Sequence, residues 1–437
     1  MSKNLNRKQV DSLRKRLARN ALGSFGLKIT FVGLAFVTSV VLARLFGPEG
    51  YGVYSYAIAW LFVLQIPAEL GMRALLVREV ASYQARSEWG LMRGILRWAN
   101  RAVLIVSVGI ALLAAIAARL LQAEANLQLN VFLLALIALP LLALKSLRQS
   151  TLQGLHRVVV GQLPENLIQP SLFIIFLGCA YVLLGERLSV SWAMGIRVFT
   201  IGAAFAVGAE FLRRTLPQAV QQASVEYNTE AWMRSVIPFM LISCMNVINN
   251  RTDAIMLGAI RGPETVGLYV VAARGAELIS FILVAVNQAI EPTIAKLYSE
   301  GNHRKLQRLI TKSSRIIFFT SLPIALAFIL FGHWFLFIFG PEFAQGRAAL
   351  AFLGFGQLVN SATGSVGKLL NMTGHERDTA VGIGASAVLN IILNAVLIPR
   401  FGLEGAACAT AISTIAWNIL LFSFVKKRLG INTTVIG

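Results

Sequence analysis

Residues 256–277 read MLGAIRGPETVGLYVVAARGAE, and the fold is decided there. An apolar helical run ends at Arg261, Gly262 and Pro263 break it, and a second run begins at once. Glycine admits backbone conformations closed to other residues, and proline suits a first helical turn, so the pair makes a tight corner between two helices. Residues 42–57, LARLFGPEGYGVYSYA, hold the same corner 215 positions earlier. Gly47, Pro48, Glu49, Gly52, Tyr54 and Ala57 match Gly262, Pro263, Glu264, Gly267, Tyr269 and Ala272. Any tight hairpin explains Gly-Pro; it does not explain Gly52/Gly267 or Tyr54/Tyr269. Gly154 and Arg157 recur as Gly374 and Arg377 at an offset of 220, so the chain is expected to be two copies of one unit.

The chain has 437 residues, 56% hydrophobic and 14% charged. A soluble domain carries about 25% charged residues, and the mean hydropathy here is +0.68, so an integral membrane protein is expected. The formal net charge of +20 then reflects basic loops facing anionic lipid, not nucleic acid. Cys179, Cys244 and Cys408 are scattered in apolar runs, and His156, His303, His333 and His375 lack ligand spacing, so neither disulfides nor a metal site is indicated. Residues 1–20 are basic and polar, so no cleavable signal peptide is expected. Leu5, Val10, Leu13 and Leu17 fit one helical face. That segment is either an interfacial helix or a basic tail that sets topology.

Twelve apolar stretches reach spanning length, at 24–46, 51–75, 99–121, 127–150, 164–184, 189–211, 234–259, 264–289, 313–338, 344–369, 378–398 and 404–425. The expected fold is an all-α membrane protein, with twelve transmembrane helices in two pseudo-symmetric six-helix bundles around a central cavity. Residues 1–23 form a basic cytoplasmic segment, 24–211 the first bundle, 212–233 a connector, 234–425 the second bundle and 426–437 a tail. The segments 76–98, 212–233 and 291–312 have mixed charge and suit amphipathic helices on the inner surface. With this count, 31 Lys and Arg fall on the side of the termini and 6 on the other. That bias places both termini in the cytoplasm.

There is no phosphate-binding glycine loop, no dinucleotide fingerprint and no metal-ligand cluster, so no enzyme is indicated. The informative residues are charges inside spans, each costing at least ~2.5 kcal/mol at mid-bilayer. Glu69, Arg73 and Glu210 sit near cytoplasmic ends, where snorkelling suffices. Arg197, Arg251, Asp253, Arg274 and Glu277 lie deeper. They either pair internally, as Arg274 and Glu277 can at i,i+3, or line a cavity between the halves that binds an anionic, sugar-bearing headgroup. Three deep arginines against two acids favour the anionic cargo, because the guanidinium fork donates two parallel hydrogen bonds to phosphate. Asn249 and Asn250 either add polar groups for sugar hydroxyls or bond across helices.

LARLFGPEGYGVYSYAIA and residues 249–278, NNRTDAIMLGAIRGPETVGLYVVAARGAEL, resemble the first hairpin and the seventh and eighth spans of polysaccharide transporters and O-antigen flippases. These belong to the multidrug/oligosaccharidyl-lipid/polysaccharide exporter superfamily. The resemblance implies a bacterial inner-membrane flippase that carries an undecaprenyl-diphosphate-linked oligosaccharide outward by alternating access. It implies a cationic cavity formed by Arg197, Arg251 and Arg274, with Asp253 and Glu277 holding those arginines or exchanging a proton or sodium ion. No further cofactor is expected. The partners are membrane lipid, the lipid-linked glycan and polysaccharide assembly proteins, and the chain is expected to be a monomer. Relatives that flip the peptidoglycan precursor carry two further spans, which counts against that substrate. The alternative is a multidrug or cation antiporter of the same superfamily, which needs an acidic or aromatic cavity.

Overall fold

The computed structural model describes residues 2–121 and 126–435, with the side chains of 2–22, 237–239, 241–243 and 245–250 excepted. Every regular element among these residues is helical. In order they are α1 (Ser2–Glu69), α2 (Met72–Arg86), α3 (Trp89–Leu121), α4 (Leu127–Gly154), α5 (Val158–Leu163), a π-helix (Pro164–Ile168), α6 (Gln169–Leu184), α7 (Val190–Thr215), α8 (Gln218–Gln222), α9 (Thr229–Arg261), α10 (Pro263–Ser299), α11 (His303–Phe337), α12 (Arg347–Thr363), α13 (Val366–Met372) and α14 (Glu376–Leu429). Among the described residues, eight helical segments are long and apolar enough to cross a membrane. Two of them bend sharply at a glycine, α1 at Gly47 and α14 at Gly402.

The outward faces are those of a lipid-immersed protein. On α3, Met92, Ile95, Ala99 and Val103 are buried, while Ile105, Leu112, Leu113, Ile116 and Leu120 are exposed. Bare leucine and isoleucine at that density suit hydrocarbon, not water.

Two compact units divide the described chain, Met1–Thr38 with Leu61–Ser243 and Ser39–Trp60 with Cys244–Gly437. In the first, α4 is central and packs on α2, α3, α5 and α7. In the second, α10, α11, α12 and α14 pack on one another, and a buried apolar cluster of Ile294, Leu306, Ile310, Leu369, Leu370, Leu421 and Val425 joins their ends.

The Gly262-Pro263 corner lies wholly in the second unit, together with its repeat at Gly47-Pro48. Gly47, Gly262 and Gly402 have φ of 63°, 87° and 54°, a left-handed region that favours glycine. Gly52 and Gly267 have another purpose. A Cβ on Gly52 would overlap the carbonyl oxygen of Pro263, and a Cβ on Gly267 would overlap that of Pro48. The two corners therefore lie backbone against backbone in a reciprocal contact, which is why the repeat keeps glycine at these positions. This contact also groups residues 39–60 with the later half of the chain.

Arg44 and Arg261, counted in the sequence as loop charges, are helix caps. Arg44 donates from Nε to the Ile338 carbonyl (2.9 Å) and from Nη2 to that of Phe337 (2.6 Å) at the end of α11. Arg261 donates to the carbonyls of Ile398 and Pro399 (3.3 and 2.5 Å) just before the Gly402 bend. Carbonyls at a helix end lack intrahelical partners and carry negative partial charge, so an arginine suits both places.

Three expectations need correction. The segment 212–233 is no amphipathic helix: it holds the end of α7, the five-residue α8 and the start of α9. It docks on α3, where Gly90 and Gly94 leave room for Glu226 and Arg93 donates to the Ala223 carbonyl. Residues 291–312 are the continuations of α10 and α11 around a short turn. The stretch 344–369 is not one helix, because α12 ends at Gly364 with φ of 70°. The side chains of the basic N-terminal face lie outside the described ones, although α1 includes its backbone.

Candidate functional site

Each unit contains a polar cluster inside its apolar helices. In the second unit it is built on Asp253 of α9, which is 5% exposed. Asn394 Nδ2 donates to its Oδ1 (2.6 Å), and the Tyr269 hydroxyl and Thr410 Oγ1 donate to its Oδ2 (both 2.7 Å). Asn394 Nδ2 also donates to Asn390 Oδ1 (3.0 Å), and Asn390 Nδ2 donates to Ser413 Oγ (3.3 Å). Asn390 and Asn394 are one turn apart on the first arm of α14, and Thr410 and Ser413 lie on the second arm. The Gly402 bend is what folds these four side chains back onto each other. The buried Oδ1 of Asn394 has no hydrogen-bond partner among the described residues.

The hydrogen bonds described for Asp253 thus come from Tyr269, Thr410 and Asn394. These partners place the Asp253 carboxylate against α10 and α14. Arg251 is half-buried and within electrostatic range of Arg274 and Glu277. Arg274 Nη1 donates to Glu277 Oε2 at 2.8 Å, the i,i+3 pair that the spacing allowed. Tyr51 also lies within electrostatic range of Arg274. The buried Nε of Arg274 nevertheless has no partner among the described residues. Arg251, Arg274 and Glu277 are thus brought together, Asp253 forms its own network in the same unit, and Arg197 belongs to the first unit. The side chains of Asn249 and Asn250 lie outside the described ones.

In the first unit, Arg197 of α7 lies over the Phe173 ring at 5.5 Å, and its buried Nε is also without a partner among the described residues. The sequence reading missed Lys145 and Glu165 and expected Glu69 to snorkel, whereas the structure buries Glu69 among hydrogen-bond donors. Lys145, 6% exposed, donates from Nζ to Gln169 Oε1 (2.8 Å) and pairs with Glu165 (3.2 Å). Glu69, also buried, accepts from Ser146 Oγ (2.6 Å) and Gln65 Nε2 (2.5 Å). Arg148 stacks over Phe205 at 3.7 Å. Glu165 sits in the π-helix Pro164–Ile168, a widened turn that presents it to Lys145. One signal was available: Glu165 is the one charged residue in the stretch 158–184. Lys145→Met alone is expected to cost about 2 kcal/mol, below the value for a fully buried pair because Glu165 stays partly accessible. Lys145→Met with Glu165→Gln should recover most of that loss in a thermal-unfolding assay on detergent-purified protein.

No group of three or more His, Cys, Asp or Glu is arranged for a metal among the described residues, and all three cysteines are free thiols.

The polysaccharide biosynthesis protein family matches residues 17–298, and the MatE family matches 238–396. The chain belongs to the polysaccharide biosynthesis protein family, the polysaccharide flippases of the multidrug/oligosaccharidyl-lipid/polysaccharide exporter superfamily. It is 24% identical, over 94% of its length and 85% of the relative's, to a Haloferax volcanii protein named "Probable low-salt glycan biosynthesis flippase Agl15". It is 25% identical to the capsular polysaccharide biosynthesis protein CapF of Staphylococcus aureus, over 44% of this chain and 48% of that one. Among solved structures, the lipid II flippase MurJ in an inward closed conformation superposes with a TM-score of 0.74 at 14% identity, covering 94% of this chain and 87% of that one. An inward-facing multidrug resistance MATE transporter superposes at 0.72 and 14% identity, covering 94% and 98%. These two likenesses establish the fold. The chain is thus a multi-pass membrane protein of that family.

Proposed function

We propose that the cargo is an undecaprenyl-diphosphate-linked oligosaccharide, an O-antigen or exopolysaccharide repeat unit, and that it crosses a bacterial inner membrane by alternating access. The observation that carries this reading is the unmet guanidinium donor Arg274 Nε, in the second unit beside Arg251; Arg197 Nε, in the first unit, is also unmet among the described residues. A buried donor left unpaired costs about 1–3 kcal/mol, which the phosphate or acidic sugar of a bound headgroup would recover. The sequestered position of Asp253 supports the same cargo, since it leaves Glu277 as the acid beside Arg251 and Arg274. A cation antiporter would need the opposite balance. Twelve spans fit if α1 and α14 each count as two, divided at Gly47 and Gly402, and if α9 and α12 cross as well. The bias of basic residues supports cytoplasmic termini.

We assign Asp253 the coupling role, binding a proton or sodium ion rather than substrate. The unmet Oδ1 of Asn394 beside it supplies a second oxygen for a cation. The buried network fixes that carboxylate, so its occupancy can report on the packing of α9, α10 and α14.

Arg274→Ala is expected to reduce polysaccharide export more than tenfold at matched protein level, the loss of a charge-assisted contact being about 1.5–3 kcal/mol. Arg274→Lys should recover only part of it, because a point charge does not reproduce the guanidinium fork. Cell-surface glycan measured against immunoblotted protein reads both, and unchanged export by Arg274→Ala would refute the assignment.

A further inference from the structure

The beginning of α11 and the end of the chain form a site that the transport reading does not use. Gly430, with φ of 66°, stops α14 and lets the following residues fold back. Ile431 and Thr433 are buried there, at 2% and 0% exposure. Gln307 clamps this tail as a neighbouring strand would: its Nε2 donates to the Asn432 carbonyl (2.6 Å), and the Asn432 amide donates to its Oε1 (2.8 Å). Arg315 Nε donates to the Val435 carbonyl (3.1 Å). Asn432 Oδ1 accepts from both the amide and the hydroxyl of Thr434. The tail is a fixed rim.

Against that rim, α11 presents Arg308, Lys312 and Arg315, which fall on one helical face at i, i+4 and i+7. Together with Gln307, Thr311, Gly430 and Asn432 they line a groove of about 580 Å³ whose described lining residues contain three cations and no carboxylate. Its depth in the membrane follows from the helix. α11 has 35 residues, roughly 50 Å of helix against a hydrocarbon core of ~30 Å. Its large exposed apolar residues begin at Ile316 and run through Phe319, Leu330 and Phe331 to Trp334. Arg308 to Arg315 therefore precede the hydrocarbon by at most two turns, at the level of lipid headgroups. Thr311 adds a hydroxyl donor, and the backbone rim bounds the groove on the side away from α11.

We propose that this groove binds the phosphate of an anionic membrane lipid, held by Arg308 and Lys312 with Arg315 between headgroup and tail. This assignment is independent of what the protein transports. Full-length protein in neutral detergent, supplied with phosphatidylglycerol or phosphatidylcholine, tests it by native mass spectrometry. The wild type should retain phosphatidylglycerol in preference to phosphatidylcholine. Arg308→Gln with Lys312→Gln should weaken that retention roughly fivefold per charge removed. Gln307→Ala changes no charge but frees the rim, and should also lower retention of phosphatidylglycerol. Millimolar inorganic phosphate should not displace the lipid. Unchanged retention in the double variant would overturn the proposal. So would wild-type retention by Gln307→Ala, which would make the attraction a property of any basic surface. Displacement by inorganic phosphate would make this a site for a soluble anion, and the lipid assignment would fail. If the double variant does not fold, Gln307→Ala decides alone.

Discussion

Asp253→Ala is expected to abolish transport and to destabilise the protein by about 3 kcal/mol. Three donors, from Tyr269, Thr410 and Asn394, converge on this carboxylate. Removing it strands them in an apolar interior, at about 1 kcal/mol or more each. Asp253→Asn separates scaffold from charge. Its side chain keeps the volume and one oxygen, so thermal unfolding should recover much of the loss, while transport stays below one tenth of wild type if the carboxylate carries the coupling ion. Tyr269→Phe removes a single donor and should cost about 1 kcal/mol with transport retained. Unfolding in detergent followed by tryptophan fluorescence, alongside transport by the same preparations, gives all three values. Wild-type transport by Asp253→Asn would remove the ionic role and leave Asp253 as a structural acceptor.

Substitution at the reciprocal glycines should have the second large effect. Gly52→Ala places a methyl group on the Pro263 carbonyl, and Gly267→Ala places one on the Pro48 carbonyl. Backbone cannot swing aside as a flexible side chain can, so each should cost about 1–3 kcal/mol. The two effects should be similar in size, since the contacts mirror each other. Combined, they should add to less than their sum, because the first substitution already separates the corners. Gly26→Ala is the control: a Cβ there meets nothing within 4 Å. A cost at Gly52 no larger than at Gly26 would contradict the close approach. The readout is the fraction of monodisperse protein surviving a heat step.

The Gly-Pro corners were legible because glycine and proline impose backbone geometry locally, and Gly47 and Gly262 indeed carry the positive φ that the sequence asks for. The role of Gly52 and Gly267 was not, since a residue without a side chain does not reveal what approaches it. The Arg274–Glu277 pair was readable from a three-residue spacing. The partners of Asp253 were not, because Asn394 and Thr410 lie 141 and 157 residues away. One hint existed, two asparagines four apart in an otherwise apolar run. Lys145 was hidden for a different reason. It lies near the basic end of the stretch 127–150, with Arg148 and Arg157 close behind, and only the turn of α4 buries it against Glu165 and Gln169.

The central claim is that this chain moves an anionic lipid-linked glycan across a bilayer and uses Arg197 and Arg274 to do so. Purified protein in sealed liposomes, loaded with a fluorescent undecaprenyl-diphosphate oligosaccharide, tests it most directly. Enzymatic access to the glycan from outside reports its leaflet. Protein-dependent movement that falls more than tenfold in Arg197→Ala and Arg274→Ala variants of wild-type stability is the predicted result. Wild-type movement by both variants, or efflux of organic cations without movement of the glycan, would contradict the account.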